Sequence, residues 1–248
     1  MAARASSRVS SQGPGDSVGQ DPKEHIIETS AFEVLYTTRA MRRLRSDPIP
    51  SEDIARIVDA AIRAPAGGGA LRVRFVAVTA PDTKQAAGAI WKRAFAARRA
   101  AHFDPLLDEH LASGDEESAT RLRKLIASSQ YLADHFAEAP LILFAFGHPE
   151  DEASVFPAMW SACLAARALG VGSVFTRILV RDARQETEHL LGVRDTAWQL
   201  HGVLPMGYPV GRWGVAPRPD VVDACYSERW GEAVSWRAPP ERWWTLGE

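Results

Sequence analysis

The chain has only two cysteines among its 248 residues, Cys163 and Cys225. Two thiols this far apart make neither a disulfide scaffold nor a CxxC metal site, and they fit a reducing, cytoplasmic compartment. Long hydrophobic runs are also missing. The longest apolar stretch, residues 141–146, falls far short of the roughly 20 residues that cross a bilayer, so no membrane partner is expected. Neither sign of charge dominates: 29 Lys and Arg stand against 31 Asp and Glu, a formal net charge of −2. A broad basic surface is therefore not expected, and nucleic acid is not an expected partner. The seven histidines form no HExxH or comparable pair, which argues against a metal. There is no GxSxG nucleophile elbow and no Walker-type phosphate loop. Cys163 falls on an apolar helical stretch and reads as a core residue rather than a nucleophile.

With 46% hydrophobic and 24% charged residues, the chain can bury a sizeable core. Residues 1–25 are rich in Ser, Gly, Ala and Arg, lack the apolar centre of a signal peptide, and read as a disordered leader. The ordered part begins near Ser30. Ser30 and Glu33 have capping-box spacing, and Phe32, Leu35 and Tyr36 follow at helical intervals. A second helix starts at Ser51, with Ile54, Ile57, Val58, Ala61 and Ile62 along one face. The pattern then predicts a strand over 73–79 and helix over 82–136, with a polar break at 113–118 that marks a helical hairpin or lid. A buried strand (141–146), a helix (154–169), a strand (173–179), a helix (183–191) and a strand (198–204) follow. The order is that of an α+β or α/β domain, here given as residues 26–228. Residues 229–248 carry Trp230, Trp236, Trp243 and Trp244 among prolines. Such a segment needs another surface to bury its rings, either its own domain or a partner subunit.

Four segments carry chemistry. Thr38-Arg39-Ala40-Met41-Arg42, continued by Arg43 and Arg45, is basic. Guanidinium groups bind phosphate bidentately, and residues 39 and 42 project from one side if they lie near a helix end. Alone, the cluster reads more readily as a solvated basic face or a short nucleic-acid patch. Pro65-Ala66-Gly67-Gly68-Gly69 stops a helix and lets backbone pass close to a flat ligand, or is simply a turn. Leu169-Gly170-Val171-Gly172 followed by Ser173-Val174-Phe175-Thr176 is not a dinucleotide fingerprint, because its glycines close a helix and open a strand, and Phe175 occupies the third glycine position. Pro205-Met206-Gly207-Tyr208-Pro209, with Arg212 and Arg218 behind it, is a strand end running into a proline-rich loop.

In this order, these segments resemble the FMN-dependent nitroreductase family, in a form similar to its actinobacterial members. The family's Arg-Arg-Ser-x-Arg-like motif corresponds to residues 38–42, with Asp47-Pro48-Ile49-Pro50 behind. Its Ala-Pro-Ser-Gly-Gly-Asn-like turn corresponds to Ala64-Pro65-Ala66-Gly67-Gly68-Gly69. Its Pro-Ala…Leu-Gly-x-Gly helix resembles residues 157–172, and its Pro-x-Gly-Tyr-Pro strand end resembles 205–209. The likeness spans about residues 30–225.

The resemblance implies a nitroreductase-like α+β fold, three-layered α/β/α with a central mixed sheet, in a domain-entwined homodimer whose tail embraces the partner. It implies FMN as cofactor and NADPH or NADH as donor. Nitroaromatic or quinone-like acceptors would be reduced through flavin N5 in a ping-pong cycle, with no protein acid–base pair required. Thr38, Arg39, Ala40, Met41 and Arg42 would bind the cofactor. Arg39, Arg42 and Arg218 would hold its phosphate, and Arg42 is the candidate guanidinium near N1. Ala66, Gly67, Gly68, Gly69 and Leu71 would line one edge of the ring, and backbone at Val174, Phe175 and Thr176 would cover the other side and donate to N5. The sequence departs from the family at Ala66 (serine expected), Gly69 (asparagine), Leu71-Arg72-Val73 (Gln-Pro-Trp) and Trp160-Ser161 (Gln-Asn). These losses favour, as the alternative, a non-catalytic flavin-binding or storage protein.

Overall fold

The computed structural model describes residues 29–69, 71–194 and 197–238. The leader expected at residues 1–25, and Trp243 and Trp244 of the tail, lie outside the described residues.

β2 (Leu141–Gly147) is buried along its whole length. A strand covered on both faces needs apolar residues at every position, hence the run Leu-Ile-Leu-Phe-Ala-Phe. It pairs antiparallel with β1 (Arg74–Val78) on one side and with β4 (Gln199–Gly207) on the other, and β4 pairs antiparallel with the two-residue β3 (Gly172–Ser173). The sheet order is β1-β2-β4-β3. Alternation along β2 divides the core in two. Ile142, Phe144 and Phe146 face one cluster, formed with Trp91, Phe95 and Phe136. Leu141, Leu143 and Ala145 face the other, with Ile57, Met159 and Val171.

The first cluster is roofed by α3 (Pro81–Arg98) and α5 (Glu116–His135), the second by α2 (Ser51–Ile62) and α6 (Glu152–Ala168). The fold is therefore α+β in three layers. Among the described residues, the mixed character expected of the sheet reduces to one isolated parallel bridge, Ala40–Ser173, beside four antiparallel strands.

Local signals account for most helix ends. Ser30 Oγ accepts from Glu33 N–H at 3.0 Å and caps α1 (Ala31–Thr37). Gly114, at φ 76°, lets α4 (Asp104–Ser113) turn back into α5, whose N-cap Asp115 accepts from Ser118 N–H at 3.0 Å. The polar break at 113–118 is thus the tip of a helical hairpin. Two expectations need correction. The strand expected over 173–179 ends after Ser173 apart from a bridge at Thr176, and α7 (Ile178–Asp182) begins where the strand was to continue. β-branched and aromatic residues there satisfied the strand pattern, but packing against α3 makes the end helical. Residues 39–45 are not on a helix end either: α1 stops at Thr37, and Thr38 is already extended.

The segment that follows α1 docks along the β3 edge. Met41 N–H donates to Ser173 O (2.9 Å), Arg45 N–H to Tyr208 O (2.8 Å), and Val210 N–H to Arg43 O (3.0 Å). Close approach here requires glycine. A Cβ at Gly207 would stand 2.7 Å from Pro140 Cδ and 3.2 Å from Arg45 O, and neither a proline ring nor a backbone carbonyl yields easily. Gly207→Ala is expected to cost about 1–3 kcal/mol and to lower the thermal midpoint. A midpoint equal to wild type in calorimetry would show that this edge is looser than described.

Candidate functional site

The arginine segment sorts into two groups. Arg43 lies over the Tyr131 ring (4.1 Å to the centroid), and Arg45 pairs with Asp47 (3.4 Å) and lies over Tyr208 (5.4 Å). These two brace the fold. The guanidiniums of Arg39 and Arg42 have no hydrogen bond or ion pair among the described residues. Arg39 is exposed; Arg42 is half-buried, and desolvation lowers its pKa from the usual guanidinium range. A desolvated cation without a counter-ion is unfavourable unless an anion joins it. Thr38 is buried and its hydroxyl caps the preceding helix by donating to Val34 O at 2.6 Å. Ala40 forms the bridge to Ser173, and Met41 is buried. Contrary to the helical spacing argument, Arg39 and Arg42 do not share a helix face, because the segment is not helical.

The same edge carries Val174, Phe175 and Thr176. Val174 N–H donates to Pro205 O (3.1 Å) and Thr176 N–H to Val203 O (3.0 Å). Both amides are committed to β4. By alternation the Phe175 N–H points away from β4, and it has no backbone partner among the described residues. Of the three amides expected to serve a ligand, only that of Phe175 is available. Its side chain is exposed and meets Phe156 edge-on at 5.8 Å.

The glycine turn lies elsewhere. Residues 66–69 precede β1, at the opposite edge of the sheet, and three strand spacings put about 14 Å between the two edge strands. Among the described residues no hydrogen bond or ion pair joins the turn to the arginine segment. Gly68 is left-handed at φ 67°, whereas Gly67 is not, and an added Cβ at either would meet nothing within 4 Å. Nothing among the described residues explains a glycine at 67. Arg72, which replaces an expected proline, braces the turn: its Nε donates to Gly67 O (3.3 Å) and its Nη1 to the buried Asp151 (3.3 Å). A cavity of about 220 Å3 lies beside the turn, lined by Ala61, Ala66, Leu71 and Val73 together with the polar Arg72 and Ser154. Leu71 itself is exposed.

Arg218 sits on the extended C-terminal segment, exposed, donating only to Pro217 O (3.0 Å) among the described residues. That segment is anchored by Trp213, which lies over Arg167 (4.4 Å). Arg167 is buried and binds Thr37 (2.8 Å) and Glu33 (3.1 Å) of α1. Cys163 is buried, and desolvation pushes its thiol up to about 11, so it is a core residue and no nucleophile. No cluster of metal-ligating residues occurs, and no helix is long and apolar enough to cross a membrane, among the described residues.

One group escaped the sequence reading. Behind Phe175, Arg177 pairs with Glu152 (2.7 Å), whose carboxylate also lies 3.7 Å from Nδ1 of His201. His201, 1% exposed, is the extra residue of a β-bulge in β4, and its Nε2 faces His148 O at 2.9 Å. Residues so distant in sequence and without a motif left no signal to find.

The nitroreductase family model matches residues 35–208, a span running from the end of α1 to the end of the sheet. The chain belongs to the nitroreductase family. Membership places it among oxidoreductases. The fold is also that of several solved structures. A mutant of the FMN and NADPH-dependent nitroreductase NfnB from sphigopyxis sp. strain HMH is 23% identical, with 81% of this chain and 100% of that one covered at a TM-score of 0.59. Oxidized iodotyrosine deiodinase bound to FMN and 3-iodo-L-tyrosine is 23% identical, with 76% and 94% covered at 0.60. A BluB-like flavoprotein from Clostridium difficile 630 is 18% identical, with 81% and 100% covered at 0.59. No curated protein matches the chain.

Proposed function

We propose that two copies of this chain enclose FMN between them and carry reducing equivalents from NADPH or NADH to a nitroaromatic or quinone-like acceptor. The observation that carries this reading is the pair of guanidiniums, Arg39 and Arg42, that have no partner among the described residues, on the edge that also presents a Phe175 N–H with no backbone partner there. Two cations and an outward amide fit a ligand with a phosphate at one end and a hydrogen-bond-accepting ring at the other. Such a cofactor would supply the hydride chemistry.

The chain's residues supply binding and electrostatics. One guanidinium does not reach both ends of an FMN, and burial divides the roles. The exposed Arg39, with Arg218, suits the solvated phosphate. The half-buried Arg42 suits the N1 end of the ring, where low dielectric strengthens its stabilisation of negative charge. The outward Phe175 N–H would be free to donate to the ring. The glycine turn of residues 66–69 and Leu71 line the ring edge from the second copy, since within one chain the turn lies at the far edge of the sheet.

Exposed apolar side chains support a second copy. Leu35 on α1, Trp160 on α6, and Trp230 and Trp236 on the tail are exposed, Trp230 at 91%. Rings left this open mark a surface covered by another chain. Two free thiols agree with a cytoplasmic setting.

The test is the visible spectrum of the purified protein after incubation with FMN, then anaerobic addition of NADPH or NADH. Bound flavin that bleaches within seconds is the expected result. Bound flavin that neither donor reduces would point to storage instead, and a protein that takes up no FMN would end the flavin reading.

A further inference from the structure

Next to Phe175, and sharing that residue with the proposed flavin site, lies a second cavity of about 310 Å3. Phe175 and Ile178 form one wall. The other is the turn Arg99–Phe103, which is π-helical and contributes His102 and Phe103. A π turn fits one extra residue into a helix with poorer geometry, and such turns recur where function requires them. Here it interrupts what would otherwise be one helix from α3 into α4 and turns two rings into the same cavity.

Three guanidiniums also line this space: Arg98, Arg177 and Arg181. Two are neutralised. Arg98 binds both carboxylate oxygens of Asp182 (3.1 and 2.9 Å), and Arg177 binds Glu152 (2.7 Å). Arg181 has no side-chain hydrogen bond or ion pair among the described residues. The cavity thus combines aromatic and aliphatic walls with one uncommitted cation, and places His102 beside them.

We infer that this cavity binds the acceptor, and that the acceptor is an aromatic anion whose ring lies against Phe103 and Phe175 and whose carboxylate meets Arg181. The inference rests on the proposed flavin site, because Phe175 belongs to both. Apolar rings with a single charged anchor select for shape and charge together: a neutral isostere keeps the ring contacts and loses the charge-assisted hydrogen bond.

The experiment is calorimetric titration of the FMN-loaded protein with 4-nitrobenzoate and with its neutral counterpart 4-nitrobenzamide. The carboxylate is expected to bind about tenfold more tightly, the size of one charge-assisted hydrogen bond. The preference should weaken with added salt, disappear in Arg181→Gln and return in part in Arg181→Lys. Equal affinity of wild type for both probes overturns the inference. So does a preference that survives Arg181→Gln, and so does an Arg181→Gln protein that loses affinity for NADPH relative to NADH while still preferring nitrobenzoate, which would make Arg181 a donor-phosphate contact. A protein that takes up no FMN fails the flavin reading instead. The same titration on that flavin-free protein then decides the cavity by itself, with equal affinities again counting against it.

Discussion

Arg42→Gln is expected to weaken FMN binding by about 10–100-fold while leaving the flavin-free protein as stable as wild type or more so. The two halves of this result have one cause. Arg42 is half-buried, desolvation lowers its pKa, and no anion accompanies it among the described residues. In the flavin-free protein the charge is a liability, and a shorter, neutral amide removes it. In the complex the same charge is the attraction. A purely structural arginine would behave in the opposite way, since its loss would lower the thermal midpoint, as expected for the buried Arg167 that ties α1 to α6. Arg42→Lys keeps the charge but loses the planar fork and should fall between the two. Quenching of FMN fluorescence gives the affinity, and calorimetry of the flavin-free protein gives the midpoint. Unchanged FMN affinity in Arg42→Gln would remove this residue from the site.

The second large effect concerns which chain supplies which half of the site. Gly67→Val and Arg42→Gln should each, alone, give homodimers with little FMN bound. Gly67 is not in the left-handed region, and a Cβ there meets nothing within 4 Å among the described residues. A side chain at 67 therefore starts in open space among the described residues, and the bulk of valine is expected to act on a ligand or partner there. The turn lies before β1 and the arginines beside β3, the two opposite edges of the sheet. If each site takes its arginines from one copy and its turn from the other, a dimer of one Arg42→Gln chain and one Gly67→Val chain has one doubly defective site and one intact site. Random mixing of the two variants by co-refolding should then restore FMN to about a quarter of all sites. If each site lay within one chain, every site in the mixture would carry one defect and mixing would restore none. Measuring bound flavin per chain separates the outcomes.

Much of this was legible in the sequence, and particular residues show why. The fully apolar stretch at 141–146 marked a strand covered on both faces. The capping pair Ser30 and Glu33 and the spacing of Ile54, Ile57 and Ala61 marked helices, because those signals act between neighbours along the chain. The glycine turn and arginine segment were visible as residue types with a chemical use. Illegible were the features set by contacts between distant residues. Arg39, Arg42, Arg43 and Arg45 look alike in one dimension. Tyr131, Tyr208 and Asp47 engage two of them, and only the fold says which two remain. Val174, Phe175 and Thr176 were equal candidates until β4 took the outer two amides. Residues 174–179 read as a continuous strand, since the pattern of their side chains did not reveal that α3 would pack against a helix there.

By itself, then, the sequence determined the class of fold, the family, the approximate elements and the short list of residues able to meet a phosphate and a flat ring. These rest on local periodicity and residue chemistry. The tertiary structure decided which of these arginines remain without a partner among the described residues, which of the three candidate amides points outward, and that the two halves of the candidate site stand at opposite edges of one sheet. Availability and distance depend on what lies across the fold from a residue, and neighbours in sequence do not carry that information.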